Sequence, residues 1–484
     1  MITPPTPFAP SPEPPASRRF PLVVPMLLLI VLMAALDMTA LSVAMPLIVS
    51  GLRNGLDFYA WPFFLYMAVF TLSMPLWGKC AGLAGRLPIL VLGGALYATG
   101  AWIGTLATEF VIIVTSRVIL GIGLGAMFAM AMSLIADRPS RRLRQAAVVV
   151  SVLGSLLGAP LCWWLVQQDG WQALFRVQQG LGIVIAVWAV LTVRAGRMPS
   201  IPFAHRIYGQ LSRSEAGFFT LFAMPATLMA SGLIGMTPQA GEAETPLGIP
   251  RQPGFATAAL ISTLMGAVTV TMLVFLPIHL QGVVGLPLRQ TVIALIVIGA
   301  AVWLGQAVAG PLSRPGSHRL IVGTGLAMTT AGAAAVARQC HGSPLPTPEG
   351  FLATLALFGC GLGIAHIGLV AYVRHRVPHA SQGTAMGLFM FARSIGGPFG
   401  TGLIGGLLAA MTGLSTLPYN HLNQLLGPLH GSDLLPRELT GFLPLLHAAT
   451  IVMHWTIAGL AGFTLLLALL WRGSTPPDVA GGAD

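Results

Sequence analysis

Long apolar runs separated by short polar connections dominate the pattern of the chain. A helix needs roughly 20 apolar residues to cross about 30 Å of hydrocarbon, and twelve runs in the chain approach or exceed that length. They predict six membrane-spanning helices in each half: 22–50, 60–77, 88–107, 110–135, 145–166 and 177–193, then 255–281, 290–312, 320–337, 351–373, 384–411 and 445–470. One further apolar run, 216–236, lies between the halves.

Composition excludes a water-soluble protein. Of the 484 residues, 55% are hydrophobic and only 8% are charged, whereas soluble domains carry roughly 25% charged residues. The net charge of +11 would suggest nucleic acid as a partner in a soluble chain. The positions of the basic residues therefore decide what the charge means.

Most of the 25 Lys and Arg residues fall on one side of the predicted membrane. If the N-terminus is cytoplasmic, the basic segments 18–19, 138–144, 194–213 and 314–319 are cytoplasmic as well. Cytoplasmic loops carry an excess of Lys and Arg, so we expect both termini in the cytoplasm and no nucleic-acid partner. The same rule indicates that 216–236 is re-entrant or interfacial, because one more crossing would turn the later basic loops outward.

The chain is therefore predicted to be an all-α membrane protein with two pseudo-symmetric six-helix bundles and one extra apolar segment between them. The proline-rich N-terminus and the Gly-Ala-Asp C-terminus predict disorder. The predicted segments are a cytoplasmic tail 1–20, a first bundle 21–194, a cytoplasmic linker 195–254, a second bundle 255–472 and a tail 473–484.

Asp37 is the only charged residue between Arg19 and Arg53. A carboxylate at membrane depth costs roughly 2.5–3.5 kcal/mol on insertion scales, so it indicates function. The alternative is a hydrogen-bonded packing residue, with Thr39 as a neighbour. Arg117 is embedded in the fourth run, and the two side chains are predicted to pair, which leaves a purely structural counter-charge as the other interpretation. A proton-exchanging Asp37 is expected to face an aqueous vestibule.

Other embedded polar residues are less specific. Arg393 has no visible acidic partner in its half, so it either faces a central cavity or extends to the membrane surface. His366 and His454 are more typical of hydrogen-bonded packing than of a proton relay. No nucleophile–base arrangement of an enzyme is visible. The four cysteines have neither disulfide nor metal-site spacing, so we expect packing roles and no metal: Cys80, Cys162, Cys340 and Cys360.

The connection after the second run begins at Gly78 and reads GKCAGLAGRLP. It resembles the signature loop of the major facilitator superfamily through Gly78, Gly85 and Arg86, although Gly82 replaces the expected Asp. Residues 310–319 carry a weaker version at the equivalent place in the second half. The resemblance implies a gating loop with a weakened latch, and the recurrence is typical of transporters built from parallel repeats.

Glycines in the fourth and fifth runs predict close helix packing, since small residues let helix backbones approach in lipid. RVILGIGLG, which contains Gly121 and Gly125, resembles the fourth-span motif of drug:proton antiporters of the same superfamily. GSLLGAP, which contains Gly154, Gly158 and Pro160, resembles their fifth-span motif.

One more stretch resembles these antiporters, and two others resemble their EmrB/QacA branch. LDMTALSVAMPLI, around Asp37, is similar to the first-span motif. LPIHLQ at 276–281 and ARSIGG at 392–397 resemble stretches of the second half. The branch normally has fourteen spans, whereas this chain shows twelve and one additional run.

The resemblance implies a proton-coupled exporter of lipophilic small molecules that works by alternating access, uses the proton gradient and needs no cofactor. Asp37 and Arg117 would couple protons to transport, and Thr39, His366 and Arg393 would lie at a substrate cavity. A facilitator or uptake symporter of the same fold remains an alternative. A non-transporting membrane sensor is the second alternative, and an enzyme is not expected.

Preference for Arg over Lys, with abundant Ala, Gly and Pro, indicates a GC-rich bacterial genome. The expected location is therefore the bacterial inner membrane, where the lipid bilayer surrounds the chain. The branch resemblance also implies a periplasmic adaptor protein as a partner. The residues do not identify the substrate, because the embedded charges have both signs.

Overall fold

The computed structural model describes residues 23–52, 59–136, 140–194, 254–314, 316–341, 348–377, 382–412 and 437–471. These ranges are almost entirely helical and contain no strand. The predictions for the two tails and for 216–236 lie outside the described residues.

The described part of the chain forms twelve long α-helices. The first half contains α1 (Val23–Gly51), α2 (Trp61–Ala84), α3 (Arg86–Thr105), α4 (Phe110–Ala136), α5 (Arg141–Asp169) and α6 (Gln172–Arg194). The second half contains α7 (Phe255–Pro277), α8 (Leu288–Ala309), α9 (His318–His341), α10 (Pro348–Arg376), α11 (Gln382–Thr412) and α12 (Arg437–Leu470). A π-helical turn, Ile278–Val283, continues α7.

Among the described residues, eleven helices are long and apolar enough to cross a membrane. The remaining one, α2, contains Trp, Tyr, Pro and Lys residues among its apolar ones. Large apolar side chains are exposed around the outside of the bundle, which suits contact with lipid tails rather than water; among them are Trp102, Val111, Leu157, Leu304 and Leu466. The chain is a multi-pass membrane protein.

Several helices extend beyond the apolar runs that predicted them. The polar end of α5 begins at Arg141, where Ser140 caps the helix by accepting a hydrogen bond from the Leu143 amide at 3.3 Å. The loop predicted from Gly78 onward is mostly helical, which corrects the sequence interpretation, because α2 continues to Ala84. Only Gly85 separates α2 from α3, and its φ of +87° makes the turn.

The two halves repeat the same helix pairings. In the first half α1 packs on α5, α4 packs on α2 and α3, and α3 packs on α6. In the second half α7 packs on α11, α10 packs on α8 and α9, and α9 packs on α12. Each pairing recurs six helices later, so the predicted pseudo-symmetry of two six-helix bundles is present.

Glycines bring the equivalent helices together. A Cβ on Gly158 of α5 would lie 2.5 Å from the Leu36 carbonyl oxygen of α1, and a Cβ on Gly396 of α11 would collide with the Thr263 carbonyl oxygen of α7. Gly154 serves the same α1–α5 contact. Pro160 lies inside α5 near this contact.

The halves meet mainly through α2 with α11 and through α5 with α8, and α1 also packs on α7. Trp303 of α8 donates from Nε1 to Ser155 Oγ of α5 at 3.4 Å. At the end where α2 begins and α7 ends, the Tyr59 hydroxyl donates to the Val274 carbonyl at 3.0 Å. The Tyr59 ring lies 5.9 Å from that of Phe275, so the two halves are in contact at this end.

Candidate functional site

Asp37 lies on α1 and Arg117 lies on α4, both enclosed within the first half. Arg117 donates from its two terminal nitrogens to the two carboxylate oxygens of Asp37, at 3.2 Å and 2.9 Å. Asp37 is 3% exposed and Arg117 is fully buried. This bidentate geometry is the arrangement in which a buried ion pair best offsets its desolvation. The structure thus brings together the two charges that the sequence predicts to pair.

A third helix completes the carboxylate's surroundings. Gln178 of α6 donates from Nε2 to Oδ1 of Asp37, and its side chain is buried. The carboxylate therefore accepts three N–H donors, two from α4 and one from α6. Sequence reasoning missed Gln178 because it stands at the polar edge of its apolar run, where a Gln is unremarkable.

Aromatic rings enclose the ion pair. The guanidinium carbon of Arg117 lies 4.5 Å from the ring centroid of Tyr66 on α2, a cation–π contact that strengthens when water is excluded. Tyr97 of α3 is buried near both charges. Sequence reasoning missed both tyrosines, since an aromatic residue in an apolar helix carries no distinct signal.

The enclosure corrects one expectation. The sequence interpretation places Asp37 at an aqueous vestibule, whereas in this conformation its side chain is only 1% exposed. Three donors and the surrounding rings occupy the space that water would fill. Any proton exchange at Asp37 therefore belongs to a different conformation of the helices.

Glycines 121 and 125 set the position of α4 against α2. A Cβ on Gly121 would lie 2.8 Å from the Tyr66 carbonyl oxygen, and one on Gly125 would lie 2.9 Å from the Phe70 carbonyl oxygen. Because Tyr66 is the residue that stacks on Arg117, this close backbone contact also fixes the site's aromatic wall.

The three residues predicted to line a substrate cavity lie in different parts of the structure. Thr39 is 7% exposed, its hydroxyl donates to the Leu36 carbonyl at 3.2 Å, and it faces Gly158. The structure thus places Thr39 in the α1–α5 contact and not on an open surface. His366 of α10 and Arg393 of α11 are half-buried in the second half.

Arg393 differs from Arg117 in its partners. No carboxylate pairs with Arg393 among the described residues. One of its terminal nitrogens and Nδ1 of His366 are buried without a hydrogen-bond partner. The two side chains are close enough to interact electrostatically, so together they present unused hydrogen-bonding groups inside the second bundle.

The gating-loop residues lie together at one end of the bundle. Gly78 is in α2, Gly85 is the turn, and Arg86 begins α3. The structure leaves their functional role a prediction.

Comparison with known proteins identifies the family of the chain. The family description "Major Facilitator Superfamily" matches residues 27–401, which is more than half of the chain. The multidrug transporter protein MdtP of Bacillus subtilis (strain 168) is 24% identical over 444 residues, covering 87% of this chain and 80% of that protein. The tetracenomycin C resistance and export protein of Streptomyces glaucescens is 27% identical over 410 residues, covering 79% and 75%.

A solved structure shows the same fold. The bacterial homologue of the human lysosomal transporter Spinster, in an inward-facing and unoccupied conformation, aligns with a TM-score of 0.64 at 16% identity, covering 94% of this chain and 98% of that one. The family and these relatives are transporters and not enzymes. With its repeated six-helix bundles and the match over most of its length, the chain belongs to the major facilitator superfamily.

Proposed function

We propose that this transporter exports lipophilic small molecules from a bacterial cell in exchange for protons, and that Asp37 is the proton-binding group. The observation that carries the proposal is the buried carboxylate of Asp37, held by Arg117 and Gln178. Intramembrane acids are rare and mark proton or ion pathways. The relatives named for multidrug transport and antibiotic export support the direction and the kind of substrate.

The hydrogen bonds suggest how a proton would act. While Asp37 is charged, it fastens α1 to α4 and α6 through three N–H donors. Protonation would remove the negative charge and weaken both bonds to Arg117, because hydrogen bonds between two charged groups are the stronger kind. The three helices would then be able to shift, and loss of the proton would fasten them again.

The contact between the halves is consistent with one state of an alternating-access cycle. Tyr59 and Val274 join the halves at the end where α7 finishes. With both termini in the cytoplasm this end faces outward, so the conformation is closed to the outside. Protons would reach Asp37 after this end opens.

The orientation rests on the basic residues at the helix ends. The end that contains the start of α1 and the finish of α6 carries Arg residues at five of its twelve described helix termini, at Arg86, Arg141, Arg194, Arg319 and Arg374. The positive-inside rule places this end in the cytoplasm. We propose the inner membrane as the location on the same grounds.

His366 and Arg393 are the proposed substrate contacts in the second half. Their unused nitrogens suit a compound that offers oxygen acceptors or an aromatic face. Replacing either residue is expected to change which compounds are exported while leaving proton binding at Asp37 intact.

The test has two stages. A drug-susceptibility panel on cells with and without the gene identifies a substrate, and the purified protein is then reconstituted in liposomes with an imposed pH gradient. Asp37→Asn is expected to lose gradient-driven transport while downhill exchange of the same compound continues. Asp169→Asn is the matched control, since Asp169 is an exposed acid paired with Arg176 at 3.2 Å, and it should transport like the wild type.

Two outcomes would overturn the assignment. Full gradient-driven transport by Asp37→Asn would show that another group carries the proton. Equal loss of downhill and gradient-driven transport would show that Asp37 is a structural counter-charge.

A further inference from the structure

Three buried residues from distant parts of the chain meet in the second half. His279 lies in the π-helical turn after α7, Cys340 lies near the end of α9, and His454 lies in α12. One nitrogen of each histidine and the Cys340 sulfur lie within 4.8 Å of one another. The three residues are 1%, 2% and 0% exposed. Nitrogen and sulfur ligands thus converge in a site closed to solvent.

Hydrogen bonds fix the protonated nitrogen of His454. Its Nδ1 lies 2.7 Å from the Thr450 carbonyl oxygen. A carbonyl only accepts, so Nδ1 carries the proton and donates it. In a neutral imidazole the other nitrogen, Nε2, then holds a lone pair.

The same argument applies to His279. The Thr450 hydroxyl donates its single proton to the His447 carbonyl at 2.9 Å. His279 Nδ1 lies 3.0 Å from that hydroxyl oxygen, so the hydroxyl accepts and His279 Nδ1 donates. Nε2 of His279 also holds a lone pair, and Thr450 orients both rings.

Both lone pairs lack a donor among the described residues. Nε2 of His279 and Nε2 of His454 are buried without a hydrogen-bond partner. The Cys340 thiol has one proton and would serve at most one of them. A buried polar atom without a partner is costly, and a cation that accepts electron pairs would satisfy all three atoms.

We propose that His279, Cys340 and His454 form a binding site for a soft metal ion, Cu(I). A thiolate is a soft ligand that selects Cu(I), and imidazole also suits copper. Binding would release the Cys340 proton to solvent, and a monovalent ion with one thiolate gives a neutral site. A divalent ion such as Zn²⁺ would leave a positive charge in a buried region, which is less favourable.

The local backbone favours such a site. Imidazole and thiolate ligands lie about 2.0–2.3 Å from a bound zinc ion, hence about 3.5 Å apart, so the side chains would move closer together around an ion. His279 stands on a π-helical turn, a feature frequent at functional sites. His447 donates from Nε2 to the Cys340 carbonyl at 2.9 Å and so holds α12 against α9 beside the site.

The test uses the full-length protein in detergent, kept anaerobic and reduced. Cu(I) is titrated in competition with a chromophoric Cu(I) chelator, and X-ray absorption at the copper edge identifies the ligand atoms. The expected result is one copper per chain with one sulfur and two nitrogen neighbours. Cys340→Ser, His279→Gln and His454→Gln should each weaken binding at least tenfold, which is the usual scale when a metal site loses a supporting interaction.

Cys162→Ser is the matched control, because Cys162 is an equally buried cysteine in the first half, and it should bind like the wild type. If a ligand variant folds poorly, thermal unfolding decides: copper should raise the melting temperature of the wild type and of Cys162→Ser but not that of His279→Gln. Copper binding that survives in all three ligand variants would overturn the site, and stoichiometric binding of Zn²⁺ but not Cu(I) would overturn the assignment of the ion. Neither outcome depends on the proposed export function.

Discussion

In the first half of the molecule two opposite charges are buried against each other, on α1 and α4, with Gln178 of α6 completing the set. The equivalent helices of the second half are α7, α10 and α12, and histidines are found there instead: buried His279 in the π-helical turn that continues α7, half-buried His366 in α10 and buried His454 in α12. Arg393, the embedded cation of this half, has no carboxylate partner among the described residues. The halves therefore share a scaffold and differ in chemistry.

The shared part depends on backbone contacts at small residues. Gly158 and Gly396 bring α5 to α1 and α11 to α7 in the same way, because each lies against a backbone carbonyl oxygen of the facing helix. The buried polar residues are consequently unconstrained by the repeat. The proposed proton site of the first half and the proposed metal site of the second half can therefore occupy the same scaffold.

The largest expected loss of stability distinguishes Arg117 from Arg393. Arg117→Met leaves the Asp37 carboxylate buried without its partner and should lower the free energy of unfolding by about 3–5 kcal/mol. Arg393→Met removes no ion pair and should change it much less. Denaturant unfolding in detergent measures both variants, and equal losses would contradict the distinction between the halves.

Gln178 provides the next test of the first-half site. Gln178→Ala removes a hydrogen bond to a charged group and should cost about 1.5–3 kcal/mol of unfolding free energy. Gln179→Ala is the control, since Gln179 is a half-buried neighbour on the same helix. A cost no larger than that of the control would show that Gln178 is not needed to hold the carboxylate.

Substitutions at the glycine contacts test whether the two halves share the same helix packing. Gly158→Ala and Gly396→Ala each place a methyl group against a carbonyl oxygen of the facing helix and should each cost about 1–3 kcal/mol. Gly406→Ala has no atom within 4 Å of the added carbon and should be neutral or stabilising by about 0.5–1 kcal/mol. Thermal unfolding of the three variants is the measurement. A large loss of stability in only one half would show that the two halves do not share this contact.

Tyr59 gives the smallest expected effect. Tyr59→Phe removes the hydrogen bond to Val274 and should weaken the contact between the halves by about 0.5–1.5 kcal/mol. Spin labels at the exposed positions Leu106 and Leu445 would report the distance across this end by pulsed electron paramagnetic resonance. The separated population should rise several-fold, and an unchanged distance distribution would show that Tyr59 does not hold the end closed.

In the first half, charge and hydrophobicity alone predict much of the candidate site. An acid and an arginine in apolar runs stand out, so the pairing of Asp37 with Arg117 was predictable. The contact of Gln178 with Asp37 was not predictable, because Gln178 lies at the edge of its apolar run. The loop predicted after Gly78 was wrong in its extent, since the residues before Gly85 contain no helix breaker strong enough to end α2.

The proposed metal site in the second half shows that the spacing of ligands along the sequence is not sufficient to predict a site. His279, Cys340 and His454 lie on three elements far apart in the chain, and a search for short metal motifs passes over them. Their meeting depends on α9 and α12 packing together and on the π-helical turn after α7. Sequence alone predicts those helices but not which faces meet.

In the proposed mechanism Asp37 exchanges a proton as substrate binds. The most direct measurement is proton release from the purified protein in weakly buffered detergent solution when the compound identified by the susceptibility panel is added. We expect the wild type and Asp169→Asn to release protons, and Asp37→Asn to release none while still binding the compound. Equal proton release by Asp37→Asn would contradict this mechanism.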